Sequence, residues 1–321
     1  MSSLVLREEK TRDLTRWRLE NARVALTVFP ELGGKVYDLV YKPLNRNILW
    51  HNDHVPLSRV EFGAAFDDVF MGGWDELFPN DEEAVIEGYQ FPDHGEVWSI
   101  PWRCRPQRSR EEVSVLLEVT GPVSGVHLQK RISLRTVDPD RIHFRHRLEH
   151  RGTRAFPFLW KLHPAFRISP HHRIHLPVNR MKLDLEYSTT PDTDLEEFDW
   201  PICQDREGKP VDMAKIPPRS SGSTLFAYGT GLKEGWFALT DLERDLGFSY
   251  RFPEALFPTC WLFASFGGWR SHYCLLIEPC SGYPYRLDEA VRMGTCPMLQ
   301  PGQVIEFESV GTFFRGGTEI H

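Results

Sequence analysis

Alternation of apolar and polar residues is the feature that most constrains what this chain can fold into. A period of two places every second side chain on one face of a β-strand, whereas an amphipathic helix repeats every 3.6 residues. Long amphipathic helical patterns are hard to find, so the chain is predicted to be all-β. The clearest alternating segments are residues 22–29 (ARVALTVF), 113–119 (VSVLLEV), 125–134 (GVHLQKRISL), 141–148 (RIHFRHRL) and 304–310 (VIEFESV).

Turn-forming residues separate these segments at short intervals, which favours a large antiparallel sandwich. Pro, Gly, Asn and Asp supply the backbone angles that a chain reversal needs. Sandwiches of about 200 residues or more commonly form one domain, so residues 1–321 are predicted to be a single domain. The turn clusters lie at residues 30–34 (PELGG), 42–45 (KPLN), 120–125 (TGPVSG), 137–140 (VDPD) and 299–302 (LQPG).

Residues 184–223 break the alternation. They are rich in Asp, Glu, Pro, Ser and Thr, and they include Pro217-Pro218. Such a composition is typical of loops, so we predict a loop-rich insertion that could close over a ligand. A linker between two domains is the less favoured alternative, because strand patterns resume at Leu225 without an independent helical or βαβ unit.

Charge and hydropathy narrow the classes of partner. The chain has 38 Lys and Arg against 45 Asp and Glu, a formal net charge of -7, which disfavours binding to nucleic acids or anionic membranes. No stretch approaches the roughly 20 apolar residues of a transmembrane helix, and the first residues lack a signal-peptide pattern. We therefore expect a cytoplasmic protein with a small-molecule partner, no nucleic-acid or membrane partner, and either a monomeric or a homodimeric state.

The first candidate site segment, residues 72–102, combines aromatic and acidic side chains in a loop-like sequence. Sugars bind where aromatic rings stack on their apolar faces and polar groups pair with their hydroxyls. Trp74, Asp75, His94 and Glu96 are therefore candidate binding residues. The alternative is that the aromatic residues belong to the core and that His94 is only a hydrogen-bonded loop residue.

Lys161 and His163 interrupt the second segment, residues 156–168 (FPFLWKLHPAFRI). Because they are two residues apart, they point to the same face of an extended strand. A lone histidine in an apolar strand is most often a core residue whose hydrogen bonds are satisfied. An unpaired buried lysine is costly, so the presence of Lys161 beside His163 favours a functional site.

Glu278 ends the apolar run CLLIE in the third segment, residues 260–284. An ionised carboxylate at the end of a buried strand costs free energy unless partners or a function compensate for it. Glu278 is thus a candidate catalytic base, and a glutamate in an edge salt bridge is the alternative. Trp261 in the same segment is a candidate substrate-binding residue.

No metal or other cofactor is predicted. His171, His172 and His175 supply only part of a ligand set, because adjacent strand residues face opposite sides and no nearby cysteine completes the set. We interpret these histidines as a surface cluster. The sequence also has no phosphate-cradling GxxxxGK[ST] loop and no GxSxG nucleophile elbow.

In their order along the chain, these segments resemble the galactose mutarotase-like superfamily, which includes the aldose 1-epimerases. The opening FPELGGKVYDLVYKPLNRNILW and the closing LQPGQ are similar to that family as well, so the resemblance spans nearly the whole chain. The motifs that carry it are Gly72-Gly73, Phe78-Pro79 and His94-Gly95, then Leu162-His163-Pro164-Ala165-Phe166, then Ile277-Glu278-Pro279.

The resemblance implies a β-supersandwich of antiparallel sheets and an activity, the interconversion of the α and β anomers of a free aldose without a cofactor. By analogy, Glu278 would be the general base that takes the proton from the anomeric hydroxyl. His163 would be the general acid that protonates the ring oxygen, and His94 would bind near that oxygen. A base and an acid at one hemiacetal are also what ring opening requires chemically.

Departures from the family pattern bear on the substrate. Members of the family that act on sugar phosphates commonly have an arginine soon after the His-Gly pair. This chain has Glu96, Val97 and Trp98 at that place, so an unphosphorylated sugar is expected. Lys161 has no place in the family pattern and could contact an acidic sugar. Two other functions stay open, namely a related isomerase or epimerase that acts at another carbon and a non-catalytic sugar-binding protein.

Overall fold

Two large antiparallel sheets build most of the fold in the computed structural model, which describes residues 4–316. One sheet has twelve strands and the other has eight. All five of the alternating segments form strands within them. The prediction of an all-β antiparallel sandwich is therefore confirmed.

The twelve-stranded sheet carries the candidate site near its middle. One further short strand, β5 (Arg46–Asn47), pairs with β4 outside the main order. In spatial order the main strands are β1 (Val5–Thr11), β2 (Leu14–Glu20), β3 (Val24–Phe29), β4 (Lys35–Tyr41), β6 (Trp74–Leu77), β14 (Lys161–Arg167), β24 (Tyr273–Cys280), β23 (Thr259–Phe266), β20 (Ser223–Thr230), β16 (Arg180–Leu183) and β17 (Glu197–Asp199).

The eight-stranded sheet covers one face of the larger sheet. Its longest strands are three of the segments that alternate most clearly in the sequence. In spatial order its strands are β15 (His172–His175), β21 (Trp236–Asp241), β22 (Leu246–Arg251), β26 (Val304–Phe314), β12 (Arg141–His150), β11 (Val126–Arg135), β10 (Glu112–Thr120) and β9 (Arg103–Arg108).

Short elements complete the structure. Two short α-helices occur in the described residues, and no helix there is long and apolar enough to span a bilayer. The helices are α1 (Phe66–Val69) and α2 (Leu287–Met293), with 3-10 turns at Lys42–Leu44, Arg219–Ser221 and Trp269–Ser271. The two-stranded sheets are β7 (Ala84–Ile86) with β8 (Tyr89–Phe91), β13 (Phe156–Pro157) with β25 (Met298–Leu299), and β18 (Ile202–Gln204) with β19 (Pro210–Asp212).

The two faces of the twelve-stranded sheet are both covered, but by different kinds of side chain. On β14, Leu162 and Phe166 enter the apolar core between the sheets, where the Phe166 ring lies 5.8 Å from that of Phe237. Lys161 and His163 alternate with them and therefore point to the opposite face. This alternation separates the core from the candidate site.

A charged cluster lies inside the core between the sheets. Glu76 Oε2 is 3.2 Å from both Lys130 Nζ and His146 Nε2, and Glu76 Oε1 accepts a hydrogen bond of 2.7 Å from Trp160 Nε1. Burial raises the pKa of Glu76, but His146 and Lys130 outweigh burial and lower it to about 2. Glu76 is therefore ionised and compensated in the core.

The segment 184–223 is more ordered than predicted. It contains the short strands β17, β18 and β19 and one 3-10 turn. These strands have three residues each, which is too short for alternation to show in a sequence. Tyr187 near the start of the segment lines the candidate site. Closure of the segment over a ligand stays a prediction.

Candidate active site

A cleft opens on the face of the twelve-stranded sheet that points away from the core. The neighbouring strands β14 and β24 form its floor, with Lys161 and His163 on one strand and Glu278 on the other. Phe263 on the next strand, β23, continues the floor. The structure thus brings together the three polar residues that the strand patterns indicated.

The loop that carries His94 forms another wall of the cleft. Its turn needs glycine, because Gly95 has a φ of 83° and a Cβ there would lie 2.1 Å from the carbonyl oxygen of Phe78. The backbone N–H of His94 donates to the carbonyl of Asp81 at 2.6 Å, and that of Glu96 donates to Phe78 at 2.8 Å. Both His94 and Asp81 therefore line the cleft.

Asp93 fixes the ring of His94. Oδ1 of Asp93 lies 2.7 Å from His94 Nδ1, and Oδ2 accepts a hydrogen bond of 2.7 Å from the backbone N–H of Phe66. The Phe66 ring stacks on the imidazole with a centroid distance of 4.0 Å and an interplanar angle of 6°. The ring is thus held from its edge and from its face, which leaves Nε2 free to face the cleft.

Lys161 is buried and compensated by two carboxylates. Its Nζ pairs with Asp81 Oδ1 in a very short contact and lies 3.0 Å from Glu278 Oε2. It also lies 4.6 Å from the centre of the Trp261 ring, a cation–π contact. Burial lowers the pKa of Lys161, but Asp81 and Glu278 outweigh burial and raise it. Lys161 is therefore a permanent cation.

Glu278 and His163 face each other below Lys161. His163 Nε2 lies 3.8 Å from Glu278 Oε1, and the two residues are 4% and 1% exposed. Burial raises the pKa of Glu278, and Lys161 opposes that rise. Burial, reinforced by Lys161, lowers the pKa of His163 well below its usual range. At neutral pH the imidazole of His163 is therefore uncharged.

Solved structures share this arrangement of sheets over nearly the whole chain. A protein from Synechocystis is 17% identical, and the match covers 98% of this chain and 100% of the other with a TM-score of 0.68. A Klebsiella pneumoniae protein provisionally named an aldose 1-epimerase is 12% identical, with 98% and 84% covered and a TM-score of 0.74. A galactose mutarotase-like protein from Lactobacillus casei is 14% identical, with 93% and 100% covered and a TM-score of 0.65.

The chain has the galactose mutarotase-like fold. The fold that the sequence resemblance implied is thereby confirmed. No protein-family model and no curated protein matches the sequence. The activity therefore has to be argued from the site itself.

Two of the predicted binding residues lie outside the cleft, so the structure corrects those predictions. Trp74 points into the core between the sheets, where its ring lies 5.1 Å from that of Phe144. Asp75 points to the other face but is fully buried and paired with Lys35 at 2.5 Å. Neither side chain can reach a ligand in the cleft.

Glu96 and Trp261 support the site from outside it, which also corrects their predicted role. Glu96 is fully buried, and its carboxylate accepts hydrogen bonds from the hydroxyl of Ser124 and, at 2.6 Å, from the backbone N–H of Val123. Trp261 is also fully buried, beneath Lys161. Each residue stabilises a neighbour and contacts no open part of the cleft.

Several residues that line the cleft were not among the predicted site residues, and three of them, Phe66, Asp81 and Asp93, contact His94 or Lys161. Asp81 could have been sought, because a buried lysine at position 161 needs a carboxylate partner and Asp81 lies in the acidic run NDEE. Phe66 carries no signal in the sequence, since its stacking on His94 depends on a distant loop. Asp93 lies beside His94, but sequence alone gives no contact between the two side chains.

No group of three or more His, Cys, Asp or Glu side chains in residues 4–316 is arranged to hold a metal ion. The interpretation of the histidines at 171–175 as a surface cluster is wrong for His172, which is 8% exposed and has Nε2 3.8 Å from Asp241 Oδ2. His175 Nε2 bonds the hydroxyl of Thr240 at 3.0 Å. These histidines have structural partners.

Proposed function

We propose that this protein is an aldose 1-epimerase that interconverts the α and β anomers of a free, unphosphorylated monosaccharide. One observation carries the proposal: a buried carboxylate, Glu278, and two imidazoles, His94 and His163, line one cleft. Ring opening needs a base for the anomeric hydroxyl and an acid for the ring oxygen, and these groups supply both. Two of the solved structures that share the fold, from Klebsiella pneumoniae and Lactobacillus casei, are named after aldose 1-epimerase and galactose mutarotase, and these names support the proposed activity.

The charge of the cleft supports an unphosphorylated substrate. Lys161 is the one Lys or Arg among the described residues that line the cleft, and two carboxylates already pair with it. A phosphate or carboxylate group would need unpaired donors such as an arginine fork. It would also meet the carboxylates that line the same cleft, Asp67, Asp81, Glu82, Asp93 and Glu278.

Glu278→Gln tests the proposal, because glutamine keeps the shape of the side chain but cannot accept the proton. We expect the rate of anomer interconversion, followed by polarimetry or saturation-transfer NMR on glucose and galactose, to fall about 100- to 10,000-fold. Sugar binding by calorimetry should remain detectable. Glu306→Gln, on the exposed surface of β26, is the matched control and should keep the wild-type rate.

An unchanged rate in Glu278→Gln would overturn the proposal. The same reactions run in D2O separate it from an isomerase that acts at another carbon. Opening and closing of a hemiacetal ring breaks no C–H bond, so no deuterium should enter the carbon skeleton. Incorporation at a non-anomeric carbon would favour the other isomerase, and tight binding without turnover on a broad sugar panel would favour a binding protein.

A further inference from the structure

Two histidines face the same cleft, but their surroundings differ in charge and in hydrogen bonding. We infer that His94, oriented by Asp93, donates the proton to the ring oxygen, and that His163 acts as a neutral hydrogen-bonding group. The inference rests on the proposed epimerase activity. It exchanges the roles that the family resemblance gives to the two residues.

Orientation is the first argument. Both oxygens of Asp93 are in use, one by His94 Nδ1 at 2.7 Å and the other by the backbone N–H of Phe66 at 2.7 Å. A carboxylate accepts hydrogen bonds, so Nδ1 carries its hydrogen and Nε2 is the nitrogen that faces the cleft. Nε2 lies 3.8 Å from Asp81 Oδ1. A proton on Nε2 therefore lies on the side of the ring that faces Asp81, which also lines the cleft.

Charge is the second argument. Burial lowers the pKa of His94, but Asp81 and Asp93 outweigh burial and raise it above its usual value. Lys161 opposes them in part. The charged imidazolium of His94 is therefore favoured in the folded protein. The titratable groups that act on His94 are Asp67, Asp75, Asp81, Asp93, Glu278, Lys161 and His163.

His163 has the opposite surroundings. It shares a strand face with the cation Lys161, and the rings of Phe66 and Phe70 stand edge-on to its imidazole at 5.3 and 5.4 Å. Its Nδ1 atom is buried and has no hydrogen-bond partner within the described protein. Glu278 Oε1 lies 3.8 Å from His163 Nε2, which is beyond hydrogen-bond distance, so it does not fix this ring as Asp93 fixes that of His94. A neutral imidazole can still bind a sugar hydroxyl through its other nitrogen, Nε2, as either donor or acceptor.

The reaction then balances without any further group. The carboxylate of Glu278 takes the proton of the anomeric hydroxyl while the bond between C1 and the ring oxygen breaks, and its electron pair goes to that oxygen. The ring oxygen takes the proton from His94 Nε2. Rotation about the C1–C2 bond turns the other face of the aldehyde toward the hydroxyl. Closure returns one proton from the hydroxyl to His94 and the other from Glu278 to the new anomeric oxygen.

The pH dependence of kcat tests the assignment. If His94 must be protonated, kcat declines on the alkaline side as His94 loses its proton. Asp93→Asn keeps an acceptor for Phe66 but removes the charge, so the alkaline limb should move about 1 to 3 pH units lower. His94→Gln should abolish that limb and lower kcat about 100- to 10,000-fold. His163→Gln should raise KM and leave the limb in place.

The assignment is overturned if the alkaline limb disappears in His163→Gln and persists in His94→Gln. A structural role for Asp93 would lower stability without moving the limb, so an unshifted limb in a folded Asp93→Asn variant also counts against it. Circular dichroism melts of each variant separate loss of folding from loss of the proton donor.

Imidazole NMR on the sugar-free protein provides a measurement that does not need turnover. In 15N-labelled protein, we expect the His94 ring to titrate above the free-histidine value of about 6.5 and the His163 ring to remain neutral. Spectra of His94→Gln and His163→Gln assign the signals. The reverse pattern would overturn the inference. The expected pattern without turnover of any aldose would count against the epimerase activity and not against the position of the proton.

Discussion

Replacing Lys161 by methionine tests whether its charge keeps Glu278 ready to act as a base. Its Nζ lies 3.0 Å from Glu278 Oε2, and both residues are buried. With an effective dielectric constant of about 20, two unit charges at this separation attract each other by about 5 kcal/mol. Methionine keeps much of the length of the lysine side chain but none of its charge. The ionised form of Glu278 therefore loses stabilisation of that order.

The lost attraction affects the rate, because only ionised Glu278 can accept the anomeric proton. Each 1.4 kcal/mol changes the ratio of ionised to protonated Glu278 about tenfold, so even half of the attraction corresponds to about 100-fold. Burial already raises the pKa of Glu278, and without Lys161 nothing comparable opposes the rise. We expect kcat/KM at neutral pH to fall about 100-fold or more and to recover as the pH is raised.

Asp81→Asn is the matched control, because it should change the pKa of Glu278 in the opposite direction. The Asp81 charge raises the pKa of Glu278, so its removal should move the acid limb of kcat/KM to lower pH. Lys161→Arg keeps the charge and should leave that limb near its wild-type position. Urea unfolding must first show that each variant is folded, since an unpaired buried charge costs about 3–5 kcal/mol. An unmoved acid limb in folded Lys161→Met would refute the reasoning.

Three further predictions concern the framework of the site. Lys130→Met should lower the free energy of unfolding by about 3–5 kcal/mol in urea, because Glu76 then loses its lysine partner and keeps only His146 to compensate its charge in the core; a loss below about 1 kcal/mol would contradict this. The folded-state pKa of Glu76, about 2, lies below its unfolded value of 4.5, so its stabilisation is present above pH 4.5 and is lost towards pH 2. Wild type should therefore lose about 3 kcal/mol over that window that Glu76→Gln does not lose. Gly95→Ala should cost about 1–3 kcal/mol and reduce turnover, since its Cβ would lie 2.1 Å from Phe78 O; wild-type melting and kcat would disprove it.

The fold could be predicted from the sequence because its signals are local. Alternation over residues 141–148 shows in β12, where Ile142, Phe144, His146 and Leu148 are all buried while their neighbours are at most half-buried or are exposed. Hydrophobic burial selects the register of such a strand, so the pattern survives in the structure. Strands of two or three residues, such as β17, have no room for a pattern and were missed for that reason.

The site could be predicted only in part. Strand periodicity predicts which side chains share a face of the sheet, but it does not predict which other residues cover that face. The spacing of two between Lys161 and His163 predicts that they share a strand face, and in the structure both side chains line the cleft. Trp74 and Asp75 are adjacent on β6 and must point to opposite faces, so at most one of them could have lined the cleft. Both faces of β6 are covered by other residues, and neither Trp74 nor Asp75 lines the cleft.

The two imidazoles of the cleft differ in their surroundings, and this difference is the basis for the roles that we infer for them. His163 is buried two residues from Lys161, and burial and that cation together disfavour its charged form although Glu278 Oε1 lies 3.8 Å from its Nε2. His94 feels the same cation, but Asp93 and Asp81 reverse the balance. In the proposed mechanism, Lys161 stabilises ionised Glu278 as the base and, together with burial, disfavours His163 as the acid. The inferred roles of the two histidines follow from the positions of Lys161, Asp81 and Asp93.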